Sequence, residues 1–535
     1  MRNPIHRIAI VGGGPSGVSI LCELLQALRA KGRNRLISIT LIEKSGEFGS
    51  GLPYRTKLDA HIINMTVATM SLKSDHVDHF YKWLLANPDK WNREYNITSL
   101  KEDDVVPRRL FGLYVNHMYK DAREMADTLG IDVVTIKGEA TDLCETGDGV
   151  RLCIERKEKY FDQAFICVGN QSATVGQELE GVKGYFHDVW SEERIMENIP
   201  YDEPVAILGS GLTAIDAMIT LQENGHRAPI TMLSRHGMLP KVRNKAKPYE
   251  LVYISPRNIQ RETNNGKHRL SLNDTIRLLK AEFENANIEF GADRDYYRAA
   301  DSSPAEILKQ DIARVKNGHA NYFSVLKAID KQIGEFWNAM SLEARTEFDQ
   351  YYNTLWNIHC YPMPLMNGAR TLRSIENGQL SVRGGFREIS YDPASETFQL
   401  RMQIGQSEEV LETRYVINAT GQGTDILRSR NELLQSGIRS GALVPHALGG
   451  IDVDFETCRA KSDLRRYSEK VYVVGLLTRG VHFYTNSVVE NVRCAKRAAI
   501  DAVERLSVDA PLTVPAAITL SELVNATSGS HQADF

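Results

Sequence analysis

Two glycine-rich turns hold most of the chemistry that can be read from this sequence. The first is Gly12-x-Gly14-x-x-Gly17, with Pro15 and Ser16 inside it. It follows the short apolar run 7–11 and precedes a helical pattern over 18–30. In this context Gly12 allows a tight turn, Gly14 lets a pyrophosphate approach the backbone, and Gly17 lets helix and strand pack closely. The helix start then offers free N–H groups and a partial positive charge to phosphates. A second apolar run, 36–42, ends at Glu43, where a carboxylate can bond ribose hydroxyls. The second turn is Gly209-Ser210-Gly211-x-Thr213-Ala214, with the same flanks: strand 204–208, helix 215–223 and strand 230–233. Its second strand runs into Ser234 and Arg235, with no acid. A carboxylate there would repel a 2′-phosphate, whereas Arg235 can pair with one bidentately, which favours NADPH over NADH. The bland alternative for Arg235 is a solvated surface charge.

Two dinucleotide sites in one chain imply electron transfer between two cofactors. The elements needed to position them are visible. Residues 415–421 read as an apolar strand closing on Ala419, Thr420 and Gly421. Residues 165–169 and 471–475 read as similar strands, the latter ending at Gly475 before a helix from about 485. Between 241 and 375 long amphipathic patterns replace short strands, as at 274–285, 304–314, 324–336 and 341–358. Strands return at 379–382, 396–404 and 413–417. The expected class is α/β, with two Rossmann-like dinucleotide-binding domains and a mainly helical insertion. The expected division is 1–180 and 440–508 for the first domain, 181–240 and 376–439 for the second, 241–375 for the insertion and 509–535 for a tail.

Composition narrows the class. A chain of 535 residues predicts two to four domains. A net charge of −4 argues against nucleic acid as a partner. No apolar run reaches membrane-spanning length, and the N-terminus does not read as a signal peptide, so a cytoplasmic protein is expected. Seven scattered cysteines include no C-x-x-C pair. A zinc ribbon, a metal site and a disulfide framework are therefore not expected. On the same ground no close cysteine pair is expected, which would exclude a flavin disulfide reductase.

The motif set resembles the two-dinucleotide-binding flavoproteins, in which FAD takes the first glycine turn and NADPH the second. More narrowly, residues 47–54, 63–65, 376–380 and 478–480 resemble a bacterial FAD/NAD(P)-binding family. Members of that family are similar to class B flavin monooxygenases, including N-hydroxylases of amino acids and a urate hydroxylase. The likeness covers roughly 5–240 and 375–500. It implies cofactor contacts from Lys44, Asn64, Met65, Ala140, Thr420, Gly421 and Gly475, besides the two glycine turns. It also implies hydroxylation of a small metabolite by molecular oxygen through a C4a-hydroperoxyflavin. The alternatives are a flavin oxidoreductase with another electron acceptor and a non-catalytic redox sensor.

One departure stands out. The class B linker has a histidine followed four residues later by an aromatic, whereas His187 is followed by Trp190 after three. His187 is thus either a nicotinamide-positioning residue or a hinge histidine. The cluster Lys241, Arg243, Lys245 and Lys247 reads as an anion site or a solvated charge run. Trp356, His359 and Tyr361 read as pocket lining or core packing. The oligomeric state stays open, with a homo-oligomer as one option.

Overall fold

The computed structural model describes residues 5–32, 36–91, 99–290, 303–318, 322–464 and 466–506. The expected tail at 509–535 lies outside the described residues.

The first glycine turn belongs to a six-stranded sheet. Its central strand His6–Val11 pairs in parallel with Ile37–Glu43 on one side and Gln163–Ile166 on the other. Asp132–Lys137 extends one edge, and Tyr467–Val473 with the antiparallel Arg459–Lys461 extends the other. Alternate residues of the unbroken apolar run 8–11 feed different layers. Ile8 and Ile10 join a core with helices Pro15–Lys31, Arg108–Leu129 and Val488–Glu504. Ala9 and Val11 face a small antiparallel sheet, Ala140–Glu145, Val150–Ile154 and Lys157–Phe161. A sheet buried on both faces explains why its strands lack an apolar–polar alternation.

The second glycine turn repeats this plan. Val205–Leu208 is central in a five-stranded parallel sheet, between Ile230–Leu233 and Tyr415–Asn418, with Leu380–Arg383 and Tyr185–Phe186 at the edges. Val205 and Ile207 face helix Leu212–Glu223, while Ala206 and Leu208 face a second antiparallel sheet, Phe386–Asp392, Thr397–Ile404 and Ser407–Thr413. In both units the antiparallel sheet immediately precedes the strand on the far side of the central one.

The segment 241–375 is helical among its described residues. Serine caps at Ser255, Ser271, Ser303 and Ser341 each accept from a backbone N–H in the first turn and start their helices. The helix expected over 324–336 is two helices, Tyr322–Ile329 and Ile333–Ala339. That expected over 341–358 is also two, Leu342–Tyr351 and Asn353–Cys360. Apolar periodicity runs through both breaks, so the pattern alone hides them. The C-terminal helix starts at Val488 rather than 485. Two helices of this region, Pro304–Lys316 and Leu365–Glu376, pack on the second sheet through Leu308, Ile312, Leu372 and Ile375. The others share an aromatic core with Leu448, Phe483 and Tyr484. Within it, Trp356 packs tilted against Phe483, and Tyr361 stacks on Tyr484 at 4.9 Å. Both therefore read as packing residues.

Candidate functional site

At the first turn, Gly12 has φ +109 and would drive a Cβ to 2.2 Å from the Cys167 carbonyl oxygen. A Cβ on Gly17 would sit 1.9 Å from the Gly12 oxygen. Both positions exclude side chains for reasons internal to the protein. Gly14 differs: the nearest atom to a Cβ is the Gly51 Cα at 3.5 Å. A side chain there would meet only ordinary van der Waals contact, so no clash within the protein requires this glycine. Segment 49–51 lies over the turn, with Gly49 N–H donating to the Gly13 carbonyl at 2.8 Å. The Pro15 ring lies against Gly51, and Ser16 Oγ lies 3.0 Å from where a Gly475 Cβ would be. The strand end at 475 thus meets the first helical turn of Pro15–Lys31.

Glu43 is held in place at the strand end. Its carboxylate accepts from Gly13 N–H at 2.8 Å, Ser45 N–H at 3.0 Å and Ser45 Oγ at 2.8 Å. Its carbonyl accepts from Gly138 N–H, which brings Ala140 to the same edge. Lys44 beside it is exposed. Asn64 and Met65 sit on a loop tied to residues 104–106 by the Ile63 and Val67 amides. Met65 packs against the first core.

The second turn has matching contacts. Gly209 has φ +113 and would place a Cβ 2.4 Å from the Ala419 oxygen. Its N–H donates to Leu233, as Gly12 N–H donates to Ile42. Ala214 is buried at the third motif position. A Cβ on Gly211 meets nothing within 4 Å, and Thr213 lies in the first turn of the helix that starts at Leu212. Ser210 Oγ donates to the Met238 carbonyl at 2.6 Å and lies 2.9 Å from Ser234 Oγ. Its side chain therefore fixes the loop that carries Arg235. Thr420 Oγ1 donates to Asn418 Oδ1 at 2.7 Å, which shapes the turn into Gly421.

The loop 234–237 docks on 383–386 through Gly385 N–H to the Arg235 carbonyl and Phe386 N–H to the Ser234 carbonyl. Arg235 is exposed at its tip. Arg387 joins it at an irregularity in the Phe386–Asp392 strand. Bulges of this kind re-aim side chains. Burial, together with the charges of Arg235 and Arg387, pushes the His236 imidazole toward its neutral form. Three basic residues thus gather at the end of the second strand, where sequence reading finds only Arg235. His236 was adjacent and readable, but Arg387 arrives from a strand remote in sequence.

His187 follows the Phe186–Ile417 pairing, so it stands level with Asn418. His187 Nε2 lies 2.8 Å from Asp188 Oδ2, and Glu180 is 3.9 Å away. The Asp188 hydrogen bond raises the imidazole pKa despite partial burial, with further help from Glu180 and opposition from Arg194.

A buried polar network joins the two units. His61 Nδ1 contacts Glu192 Oε1 at 3.1 Å and Thr56 Oγ1 at 2.9 Å. Its Nε2 contacts Thr220 Oγ1 at 3.0 Å. Arg108 Nη2 pairs with Asp216 Oδ2 at 2.7 Å. His61, Thr56 and Arg108 belong to the first unit, and Glu192, Asp216 and Thr220 to the second. No sequence signal marks this set.

The basic cluster after the second unit divides. Lys241 is 1 % exposed and paired with Asp311 at 3.1 Å. Arg243 lies over the Phe323 ring at 5.2 Å, and burial pushes it down to about 10. Its Nε has no hydrogen-bond partner among the described residues. Only Lys245, paired with Asp103, and Lys247 are exposed. A uniformly solvated run is thus ruled out for its first two members. His359 hydrogen-bonds its own helix through Leu355, at 2.7 Å. The cysteines also depart from expectation: folding brings Cys458 and Cys494 together across 36 positions, beyond the reach of a spacing rule.

These cradles fit two dinucleotides. Neither second glycine is required by a clash within the protein, each helix start supplies amides, and the second strands run out into residues of opposite charge, Glu43 and Arg235, the pattern that FAD and NADPH call for. A family model described as FAD-NAD(P)-binding matches residues 9–171. The uncharacterized protein YdhS of Escherichia coli K12 is 26% identical over 309 residues, which is 53% of this chain and 55% of that protein. The chain therefore spans about half the length of this curated relative. L-lysine 6-monooxygenase from Pseudomonas syringae superposes with a TM-score of 0.57 at 13% identity, over 93% of this chain and 99% of that one. Ornithine hydroxylase PvdA from Pseudomonas aeruginosa gives 0.55 at 13% identity, over 94% and 100%. Ornithine N-hydroxylase from Kutzneria sp. 744 gives 0.54 at 13% identity, over 94% and 99%. At that identity the likeness is one of fold. The chain has an FAD/NAD(P)-binding region within the fold of these N-hydroxylases. No helix among the described residues is long and apolar enough to cross a membrane.

Proposed function

We propose that this chain is an NADPH-dependent FAD monooxygenase that hydroxylates a small nitrogen-containing metabolite, such as an amino acid. The observation that carries this reading is the pair of equivalent cradles, one ending at Glu43 and the other at Arg235, His236 and Arg387. When bound, FAD reduced by NADPH supplies the oxygen activation.

The chain's residues divide the remaining work. Gly14 and the amides at 16–17 receive the FAD pyrophosphate, and Glu43 holds its ribose. Lys44, Asn64, Met65, Ala140 and Gly475 complete the flavin contacts. Ser210, Gly211, Thr213 and Ala214 shape the NADPH pyrophosphate site, Arg235 and Arg387 hold the 2′-phosphate, and Thr420 and Gly421 border it. His187, oriented by Asp188, positions the nicotinamide half. The aromatic core around Trp337, Phe348, Trp356 and Phe483 excludes water beside the C-terminal segment.

Arg243 is the anchor for a substrate carboxylate. It is largely buried, stacked on Phe323, and has an unused Nε donor. Asp330, paired with Lys327 at 2.8 Å, is close enough for its charge to act on both Arg243 and Tyr484. The structural neighbours named for lysine and ornithine support this substrate class.

The test is NADPH-driven oxygen consumption across a panel of amino acids and amines, with hydroxylated product identified by mass. Arg243→Ala should raise the substrate KM about 10–100-fold, the usual weight of a charged hydrogen bond, while flavin content stays native. Oxygen uptake that no substrate stimulates, with all reducing equivalents passing to an artificial acceptor, would favour a plain flavin reductase.

A further inference from the structure

Away from both cradles, Cys458, His482 and Cys494 converge in the core. All three are buried, and their ligand atoms lie within 4.8 Å of one another. Cys458 precedes the Arg459–Lys461 strand, His482 ends the Arg479–His482 helix, and Cys494 lies on Val488–Glu504. Cys458 Sγ is 4.0 Å from His482 Nε2 and 3.6 Å from the Cys494 carbonyl.

Three features separate this cluster from ordinary core cysteines. Cys458 has φ +59, a left-handed conformation that costs a non-glycine residue about 1–2 kcal/mol. Its backbone is pinned there by Cys458 N–H to the Asp454 carbonyl at 2.8 Å and Val473 N–H to the Cys458 carbonyl at 2.9 Å. His482 is 0 % exposed, and its Nε2, which lies 4.0 Å from Cys458 Sγ, contacts the Phe455 carbonyl at 3.0 Å. Finally, Arg497 Nη2 lies 3.4 Å from Cys494 Sγ and 3.2 Å from Glu490 Oε1, with its guanidinium over Phe455. With both thiols ionised, two thiolates and the Glu490 carboxylate outnumber the guanidiniums of Arg497 and of Arg493, 3.2 Å from Glu490 Oε2, so the dry site takes a cation.

We propose that Cys458, His482 and Cys494 bind one zinc ion that clips the flavin-side segment 475–487 to the C-terminal helix. Zinc bonds of about 2.3 Å to sulfur and about 2.0 Å to nitrogen set tetrahedral ligand atoms about 3.5–3.8 Å apart, so the three ligand atoms, now 4.0 Å apart for Cys458 and His482 and within 4.8 Å overall, would draw in slightly on the ion. Thiolate ligation displaces the thiol protons to solvent, and the sulfur and imidazole electron pairs go to the metal, so nothing is oxidised or reduced. His482 Nε2 exchanges its 3.0 Å contact with the Phe455 carbonyl for the ion. Glu490 Oε1, 3.8 Å from Cys494 Sγ, stands beside the fourth position. Arg497 donates to the ligating sulfur, as outer partners of metal thiolates do.

The test uses the full-length flavin-loaded protein, purified without chelator. Elemental analysis should find about one zinc per chain, and zinc-edge X-ray absorption should show two sulfur neighbours. Chelator-stripped protein should recover zinc from a competing chromophoric chelator, and Cys458→Ser and Cys494→Ser should each cut retention at least tenfold. The absorption spectrum of the native chain does not depend on either variant folding. Three results would overturn the proposal: no zinc retained or taken up at micromolar free zinc, zinc bound without sulfur neighbours, or a Cys458–Cys494 disulfide in protein isolated under reducing conditions.

Discussion

In the proposed reading, Arg235 and His187 are where single side chains decide selectivity. Arg235→Glu reverses a charge at the 2′-phosphate position and should raise the NADPH KM about 10–100-fold, leaving the NADH KM within about twofold. Steady-state kinetics with both nucleotides checks it, and equal effects would remove the phosphate role. His187 makes a pH prediction. Its folded pKa is raised, so the His187–Asp188 contribution is complete below the ordinary histidine value and fades as pH climbs through the raised one. The NADPH KM should therefore rise on the alkaline side of neutrality, and His187→Ala should flatten that limb of the profile. Arg235 was legible because it ends a strand in a known motif. Arg387 was not, because an irregularity in a distant strand delivers it.

At the scale of elements, the glycines of each turn have different jobs. Gly17→Ala would place a methyl 1.9 Å from the Gly12 oxygen, so the first helix must move from its strand and the thermal midpoint should fall by several degrees. Gly211→Val meets no protein atom within 4 Å of its Cβ and keeps an ordinary φ of −83. It should leave the melting temperature nearly unchanged while weakening NADPH binding at least tenfold. Thermal unfolding and nucleotide titration on both variants separate structural from ligand-facing glycine. Both strand–turn–helix units were readable because short apolar runs ending in glycine admit few other folds. The antiparallel sheet at 140–161 was not read, since its short, partly exposed strands have weak patterns. The helix breaks near 330 and 352 were missed because turn residues there sit inside continuous apolar periodicity.

For the whole molecule, the contacts of His61 with Glu192 and of Arg108 with Asp216 fasten one unit to the other. Breaking a buried ion pair strands the remaining charge, so Arg108→Ala should cost about 3 kcal/mol in chemical denaturation. Burial would raise the Glu192 pKa, but hydrogen bonds from His61 and Thr56 outweigh it and lower it. Its stabilising share is therefore present above the ordinary carboxylate pKa and lost as pH falls through the lowered value. Long-range pairing of this kind leaves no mark in a single sequence. The measurement that reaches the central claim most directly is anaerobic mixing of the flavin-loaded protein with NADPH while flavin absorbance is followed. The two-cradle account predicts rapid bleaching, faster with NADPH than with NADH, and return of the colour when oxygen enters. Flavin that stays oxidised with NADPH, both with and without the amino-acid panel, would contradict it.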